Sequence, residues 1–316
     1  MLTATLRRLG ELAVTCLGVS GLTFLMIRLV PGDAVQMMLG ANAETSTAQI
    51  VAVRARLGLD QPVLQQYFGW LGRALHGDLG TSVWTGRPVM DEILPRVGVT
   101  FELTVLALLL AAALALPLGC LMATANGRVS APTIRVLGIV GITTPSFWLG
   151  TIMLYAVAAL APDAQLLGWV PFVDDPAANL QRMVLPVIAL ALPVLAALAR
   201  VVRAAMLDAM QQDYVRTARA KGVSEFRVIA VHALRNALLP FLTSFGITAG
   251  YLFGGSVVIE QVFALPGLGR LMVGAIAERN FPLVQASILL ATLAFVLVNA
   301  AVDILYTAAD PRIDRA

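Results

Sequence analysis

The chain of 316 residues is 59% hydrophobic and only 13% charged, with a mean hydropathy of +0.83 and a net charge of +3. A soluble domain carries about 25% charged residues, so the composition excludes an ordinary soluble protein and describes a polytopic membrane protein. So small a net charge gives no ground for nucleic-acid binding. Lys221 is the only lysine and Gly222 follows it. A P-loop needs Gly-Lys-Ser/Thr, so the chain has none. Cys16 and Cys120 both fall in apolar stretches, which argues against a structural disulfide and against a metal pair.

A first apolar span runs from about residue 9 to 30, after Arg7 and Arg8, and ends at Pro31-Gly32-Asp33. It is longer than a signal-peptide core and no small-residue cleavage site follows, so it is expected to be retained. A long polar insert covers 31–98. In it Ile50, Val53 and Leu57 share one helical face, and Leu64, Phe68, Leu71 and Leu75 another, the second between Asp60-Gln61-Pro62 and Gly77. Such faces suit a small helical cap packed on its neighbours, or an amphipathic element lying on lipid.

Further spans are expected at about 103–125, 134–160, 184–206, 241–259 and 284–306. Asn126-Gly127-Arg128 turns the chain between the second and third. A polar loop with Asp163, Asp174 and Asp175 fills 161–182, a polar re-entry fills 260–282, and Asp310-Pro311-Arg312 opens a short tail. Arginine placement sets the orientation. With the N-terminus in the cytoplasm, the inner segments hold Arg7, Arg8, Arg128, Arg135, Arg312, Arg315 and the basic cluster near 220. The short outer loops then hold Arg182, Arg270 and Arg279. The insert carries five arginines, but long loops translocate largely regardless of charge. Six spans with both ends inside is the expected topology.

Pro117, Pro145, Pro186 and Pro193 lie within spans and free backbone groups that lipid cannot satisfy. They fit a bundle around a pathway, and equally plain kinked packing. Gly246, Gly250 and Gly254 recur every four residues as a small-residue face, for packing inside the chain or against a second subunit. Arg200, Arg203 and Asp303 sit near span ends, within reach of the interface. No chain of carboxylates or histidines crosses a span, as a proton-coupled carrier would need, and His76 and His232 belong to no hydrolytic motif.

The polar, basic stretch Asp213–Pro240 between the fourth and fifth spans organises the rest. Asp213 is a candidate N-cap, Arg219 and Lys221 suit the last turn, and Gly222 suits a left-handed exit. Ser224 can cap a second helix running to a break at Pro240. Charge alone allows a solvated loop that only fixes topology. The sharper reading is a short helix shaped for a groove on a soluble partner.

This stretch resembles the cytoplasmic coupling loop of ABC importer permeases, in the form found in the dipeptide and oligopeptide permease family. Arg216-Thr217-Ala218 stands where the general loop has Glu-Ala-Ala, and Gly222 falls on its glycine. The Arg for Glu and the longer gap to Leu239-Pro240 follow the peptide branch. The resemblance extends through GDLGTS at 77–82, RVGVTFELT at 96–104, PSFWLG at 145–150, ARVVRAAML at 199–207 and HALRNALLP at 232–240. It continues in the run GSVVIEQVFALPGLGRLMVGAIAERNFPLVQ at 255–285 and in NAAVDILYTAADPRI at 299–313.

The resemblance implies an all-α type I importer permease (MetI-like) fold with six transmembrane helices and an external helical insert after the first. Residues 1–95 would be the N-terminal addition, 96–308 the permease core with its coupling loop at about 208–240, and 309–316 a cytoplasmic tail. The implied partners are a homologous second permease, two cytoplasmic ABC ATPases and an extracytoplasmic binding protein, in a bacterial inner membrane. The chain itself would bind no cofactor; ATP and magnesium would sit on the ATPases. The implied task is import of dipeptides or oligopeptides, other members carrying glutathione or nickel chelates. Coupling is expected from Asp213, Tyr214, Arg216, Thr217, Ala218, Arg219, Ala220, Lys221 and Gly222. Pro145, Trp148, Gly246, Gly250 and Gly254 are expected in helix packing or the pathway.

Overall fold

Nine α-helices are found among the described residues of the computed structural model: α1 Leu2–Leu29, α2 Val63–Leu75, α3 Val89–Thr124, α4 Ser146–Leu160, α5 Pro176–Met210, α6 Asp213–Ala220, α7 Leu234–Val262, α8 Leu268–Ala277 and α9 Phe281–Ala309. A single helical turn, Glu225–Arg227, and a π-helical turn, Val228–Ala233, lead directly into α7. The structure describes residues 2–29, 60–125, 138, 140–164 and 166–309; of 2–9, 11 and 302–309 it describes the backbone alone. The expected features at Pro31-Gly32-Asp33, at Ile50, Val53 and Leu57, at Asn126-Gly127-Arg128, at the start of the third span and at Asp310-Pro311-Arg312 lie outside the described residues.

Five helices among the described residues are long and apolar enough to cross a bilayer: α1, α3, α5, α9 and the continuous run Glu225–Val262 that contains α7. A sixth is not found there: Pro145 interrupts the third expected span, and residues 126–137 and 139 ahead of it lie outside the described residues. Residues 140–143 are helical and stop at Thr144, which a following proline pushes out of helical geometry. The helix restarts as α4 with Pro145 in the N-cap position. Its 15 residues span about 22 Å, short of the roughly 30 Å of a bilayer core. By contrast α5 and α7 run through Pro186, Pro193 and Pro240 without a break, so the break expected at Pro240 does not occur.

The chain divides into two compact units. In the first, residues 1–97 and 271–294, α2 lies on α1 through Tyr67. The Tyr67 hydroxyl donates to the Leu17 carbonyl at 3.2 Å and lies 2.9 Å from Ser20 Oγ, and its ring meets Phe24 edge to face at 5.3 Å. Trp70 is buried on the same side, whereas Leu64, Phe68 and Leu75 are exposed. The contact with α1 is thus made by Tyr67, outside the expected face of Leu64, Phe68, Leu71 and Leu75. Beyond α2 a hairpin closes through a bridge between Thr81 and Pro88. Asn280 pins it: Nδ2 donates to Ser82 Oγ at 2.8 Å and Oδ1 accepts from Val83 N at 3.3 Å.

In the second unit, residues 98–270 and 295–316, α3 presents a fully buried stripe of Val99, Leu103, Ala107, Ala111 and Ala115, one residue every four. Its alanines admit the larger side chains of α5, among them Met183, Leu190, Leu198 and Met206, and all belong to one core with Phe241, Leu252 and Ile259 of α7. α5 starts on an Asp-Pro pair. The Asp175 carboxylate accepts from Ala178 N at 3.0 Å and Pro176 takes the first helical position, where its missing N–H costs nothing.

Candidate functional site

α5 ends at Met210, and the chain reopens as a separate eight-residue helix, α6, whose N-cap is Gln212 and not the expected Asp213, which is its first residue. So short a helix has little stability of its own in water. What holds it is an apolar patch one residue wide: Val215 and Ala218, three apart, are buried against Val228, with Val223 packed alongside. The opposite face is exposed and carries Asp213, Tyr214, Arg216, Thr217, Ala220 and Lys221.

The exit from α6 is a Schellman turn. Gly222 has φ of +77°, its N–H bonds to the Arg219 carbonyl at 2.9 Å, and the Val223 N–H reaches the Ala218 carbonyl at 3.2 Å. The left-handed exit expected of Gly222 is present. Two side-chain contacts brace this corner. Arg219 donates from Nε and Nη2 to the two Glu225 oxygens at 3.1 and 2.6 Å, a fork that closes over the glycine. That bond to Glu225 holds the Arg219 guanidinium above its ordinary pKa. Asn236 Nδ2 donates to the Tyr214 hydroxyl at 2.6 Å, tying α6 to the first turn of α7. Ser224 takes the N-cap position expected of it, but its side chain makes no capping bond.

The segment leaves the corner through the π-helical turn, in which the Leu234 N–H reaches back five residues to the Ile229 carbonyl. Rare turns of this kind collect at functional sites. Of the nine residues expected in coupling, the structure places eight on the exposed surface; Ala218 is the exception, buried within the chain's own patch. Arg219 is engaged by Glu225 and Arg216 lies 3.5 Å from Asp213, so the charged rim is already internally paired.

Sequence reasoning missed Val215, Val228, Glu225 and Asn236. Two had a visible signal: Val215 and Ala218 stand at helical spacing, and Arg219 and Glu225 stand three residues either side of Gly222. Nothing in the local pattern marks Asn236, 22 residues from its partner. The residues expected in packing or pathway do not gather in one place. Pro145 and Trp148 are exposed, Gly246 and Gly250 are buried, and Gly254 is exposed with nothing within 4 Å of where a Cβ would lie. At Gly250 a Cβ would fall 2.5 Å from the Phe295 ring of α9.

Residues 115–315 match the family described as the binding-protein-dependent transport system inner membrane component, and residues 1–104 match the N-terminal family of the same membrane components. The chain is 42% identical over 99% of its length, and 99% of the relative's, to a putative peptide transport system permease protein of Brucella melitensis. A glutathione transport system permease protein of Escherichia coli is 39% identical with the same coverage, and the dipeptide transport system permease protein of Escherichia coli K12 is 38% identical, again over 99% of both chains. Among solved structures, the inward-facing MetNI methionine ABC transporter is similar at a TM-score of 0.53 and 20% identity, over 70% of this chain and 97% of that one. A crystal structure of an amino acid ABC transporter matches at 0.53 and 14%, over 76% of this chain and 98% of that one. These likenesses carry the MetI-like permease fold. The chain belongs to the family of inner membrane components of binding-protein-dependent transport systems, and is a multi-pass permease subunit of an ABC importer.

Proposed function

We propose that this chain is one of two homologous permeases that form the pathway of an importer of dipeptides and oligopeptides. In this reading a binding protein feeds the outer mouth, and two cytoplasmic ATPases, which carry ATP and magnesium, drive the cycle through α6. The observation that supports it best is the build of α6 itself. A helix too short to stand alone is fixed from below by Val215 and Ala218, clamped at its exit, and left with its whole upper face uncovered. Tyr214 keeps its ring outward while Asn236 holds its hydroxyl, so it offers an oriented aromatic anchor of the kind that dominates helix-in-groove contacts. Thr217 and Ala220 keep the neighbouring surface low, and Arg216 and Lys221 form a charged rim. The peptide cargo rests on the relatives' names.

The mechanism follows from the bracing. Closure of the ATPases on ATP pushes α6, and its buried packing on Val228, with the Tyr214–Asn236 bond and the Arg219–Glu225 fork as lesser braces, passes the push to the start of α7 as a rigid-body movement. Residues 96–308 serve as the moving core, 1–95 as an N-terminal addition and 309–316 as a tail. α4, with the residues ahead of it, supplies the sixth span, and both termini lie in the cytoplasm.

The complex reconstituted in liposomes tests this reading. Labelled dipeptide should enter only with ATP on the ATPase side and binding protein on the other, and ionophores should not matter. Uptake driven by an ion gradient without the ATPases would replace this reading with a secondary carrier. Orientation is tested with Arg73→Cys and Arg219→Cys in a background lacking Cys16 and Cys120. An impermeant thiol reagent on intact cells should label position 73 alone; labelling at 219 alone would invert the topology.

A further inference from the structure

At the end of α7 remote from α6, a carboxylate is enclosed completely. Glu260 is 0% exposed. Its Oε1 accepts from Thr100 Oγ1 on α3 at 2.6 Å, and its Oε2 accepts from the backbone N–H of Arg270 at 2.8 Å. Thr100 Oγ1 itself accepts from the Leu268 N–H at 2.8 Å. Because that lone pair is taken by an amide, the hydroxyl hydrogen is directed to Glu260. N–H groups of the opening turn of α8, which no helical carbonyl can reach, are thus satisfied by one carboxyl group and one hydroxyl. The fit leaves no spare volume. A Cβ on Gly267 would lie 2.3 Å from the carboxyl carbon. The chain reaches this place through a second tight turn, in which Leu265 N bonds to the Glu260 carbonyl at 2.9 Å and Ala264 adopts φ of +55°.

We infer that Glu260 is a positioning residue for transport: with Thr100 it locks α3, the end of α7 and Leu268–Arg270 into one body, so that movement started at α6 arrives at the far end of α7 undivided. This inference rests on the importer reading above. α7 is the one helix that leaves the π-helical turn, and it runs about 39 Å from its start to Glu260. Stability alone gives no reason for a buried carboxyl group, since well-packed apolar side chains hold three segments at least as firmly. A carboxylate adds register. Its bonds are directed at particular atoms of Thr100 and Arg270, and a slip of one residue leaves a buried polar group unpaired in a place where that is most costly. An ionisable side chain enclosed at a span end is a functional candidate on the same ground.

The test uses the assembled, reconstituted complex and counts substrate moved per ATP hydrolysed, normalised to complex recovered. Glu260→Gln keeps the shape but offers one acceptor oxygen where two are used, and Thr100→Val removes the hydroxyl. Each should lower transport per ATP about tenfold, the equivalent of one charge-assisted hydrogen bond, while Thr100→Ser should keep the wild-type ratio. Wild-type ratios in Glu260→Gln and Thr100→Val would overturn the inference and leave the cluster purely structural. A second measurement needs no variant. In the wild-type complex, hydrogen exchange of peptides covering 263–270 should be equally slow in nucleotide-free and ATP-trapped states. Faster exchange in either state would overturn the inference, and this result decides the matter if the variants fail to assemble. A wild-type complex whose ATPase ignores the loaded binding protein would instead strike at the importer reading itself.

Discussion

The two ends of α7 are built on opposite principles. At the α6 end, three small apolar side chains and two exposed polar contacts hold a short helix. At the other end a fully enclosed carboxylate is matched bond for bond. Exposed ion pairs are worth little and break easily in water, whereas a buried charge deprived of its partners is heavily destabilising. One end can therefore shift and reform its contacts during a cycle, and the other cannot do so without loss of fold. The contrast teaches that polar bonding in one helix serves compliance or rigidity according to its depth.

Substitutions at each end should break that contrast if it is wrong, and the largest effect is expected at Gly267. In Gly267→Ala the new methyl group meets the Glu260 carboxyl and displaces it from its donors, at a cost of about 3–5 kcal/mol. Recovery of folded protein and its melting temperature in detergent should both fall; an unchanged melting temperature would mean that the carboxylate is not clamped. Midway along α7, Gly250→Leu should cost roughly 1–3 kcal/mol by overpacking against Phe295, and Gly250→Ala less. Equal melting temperatures for the two would show that this face has room.

At the compliant end the loss should be of communication rather than of fold. Gly222→Val puts a β-branched side chain at φ of +77°, a strain of about 1–2 kcal/mol that α6 relieves by changing its exit direction. The bundle should melt as wild type while stimulation of ATPase activity by loaded binding protein disappears; undiminished stimulation would take α6 out of the coupling path. The smallest effect is expected of Arg219→Ala. It removes an exposed fork and should weaken stimulation slightly at low salt. The difference from wild type should vanish at 1 M salt, where screening acts within about 3 Å. A large, salt-independent defect would show that Arg219 touches a partner directly.

Legibility in the sequence followed the range of the cause. Gly222 was readable because a left-handed exit is a property of one residue, and α6 because its start and stop signals lie within ten positions. Span positions were readable from apolar runs, although α3, α5 and α7 each extend beyond them. Hydropathy marks the third span as one apolar run but does not register that Pro145 interrupts it and restarts the helix. The apolar face of α2 is visible in the pattern, but the pattern gives no means of telling that Tyr67 meets α1 while Leu64 and Phe68 stay exposed. Thr100 and Glu260 are 160 residues apart, and Tyr214 and Asn236 come from different helices. Such pairings are set by tertiary packing, which leaves no periodic trace.

The π-helical turn at Val228–Ala233 carries a consequence for inheritance as well as for mechanics. A π turn holds one residue more than an α turn, and each α-helical residue accounts for about 100° of rotation. The compass bearing of α6 about the axis of α7 is thereby written as a count of residues, independent of which side chains fill the turn. Exchange of its exposed side chain, Val231, preserves the heading, whereas loss of a single codon would regularise the helix and swing the whole docking face by roughly a quarter turn.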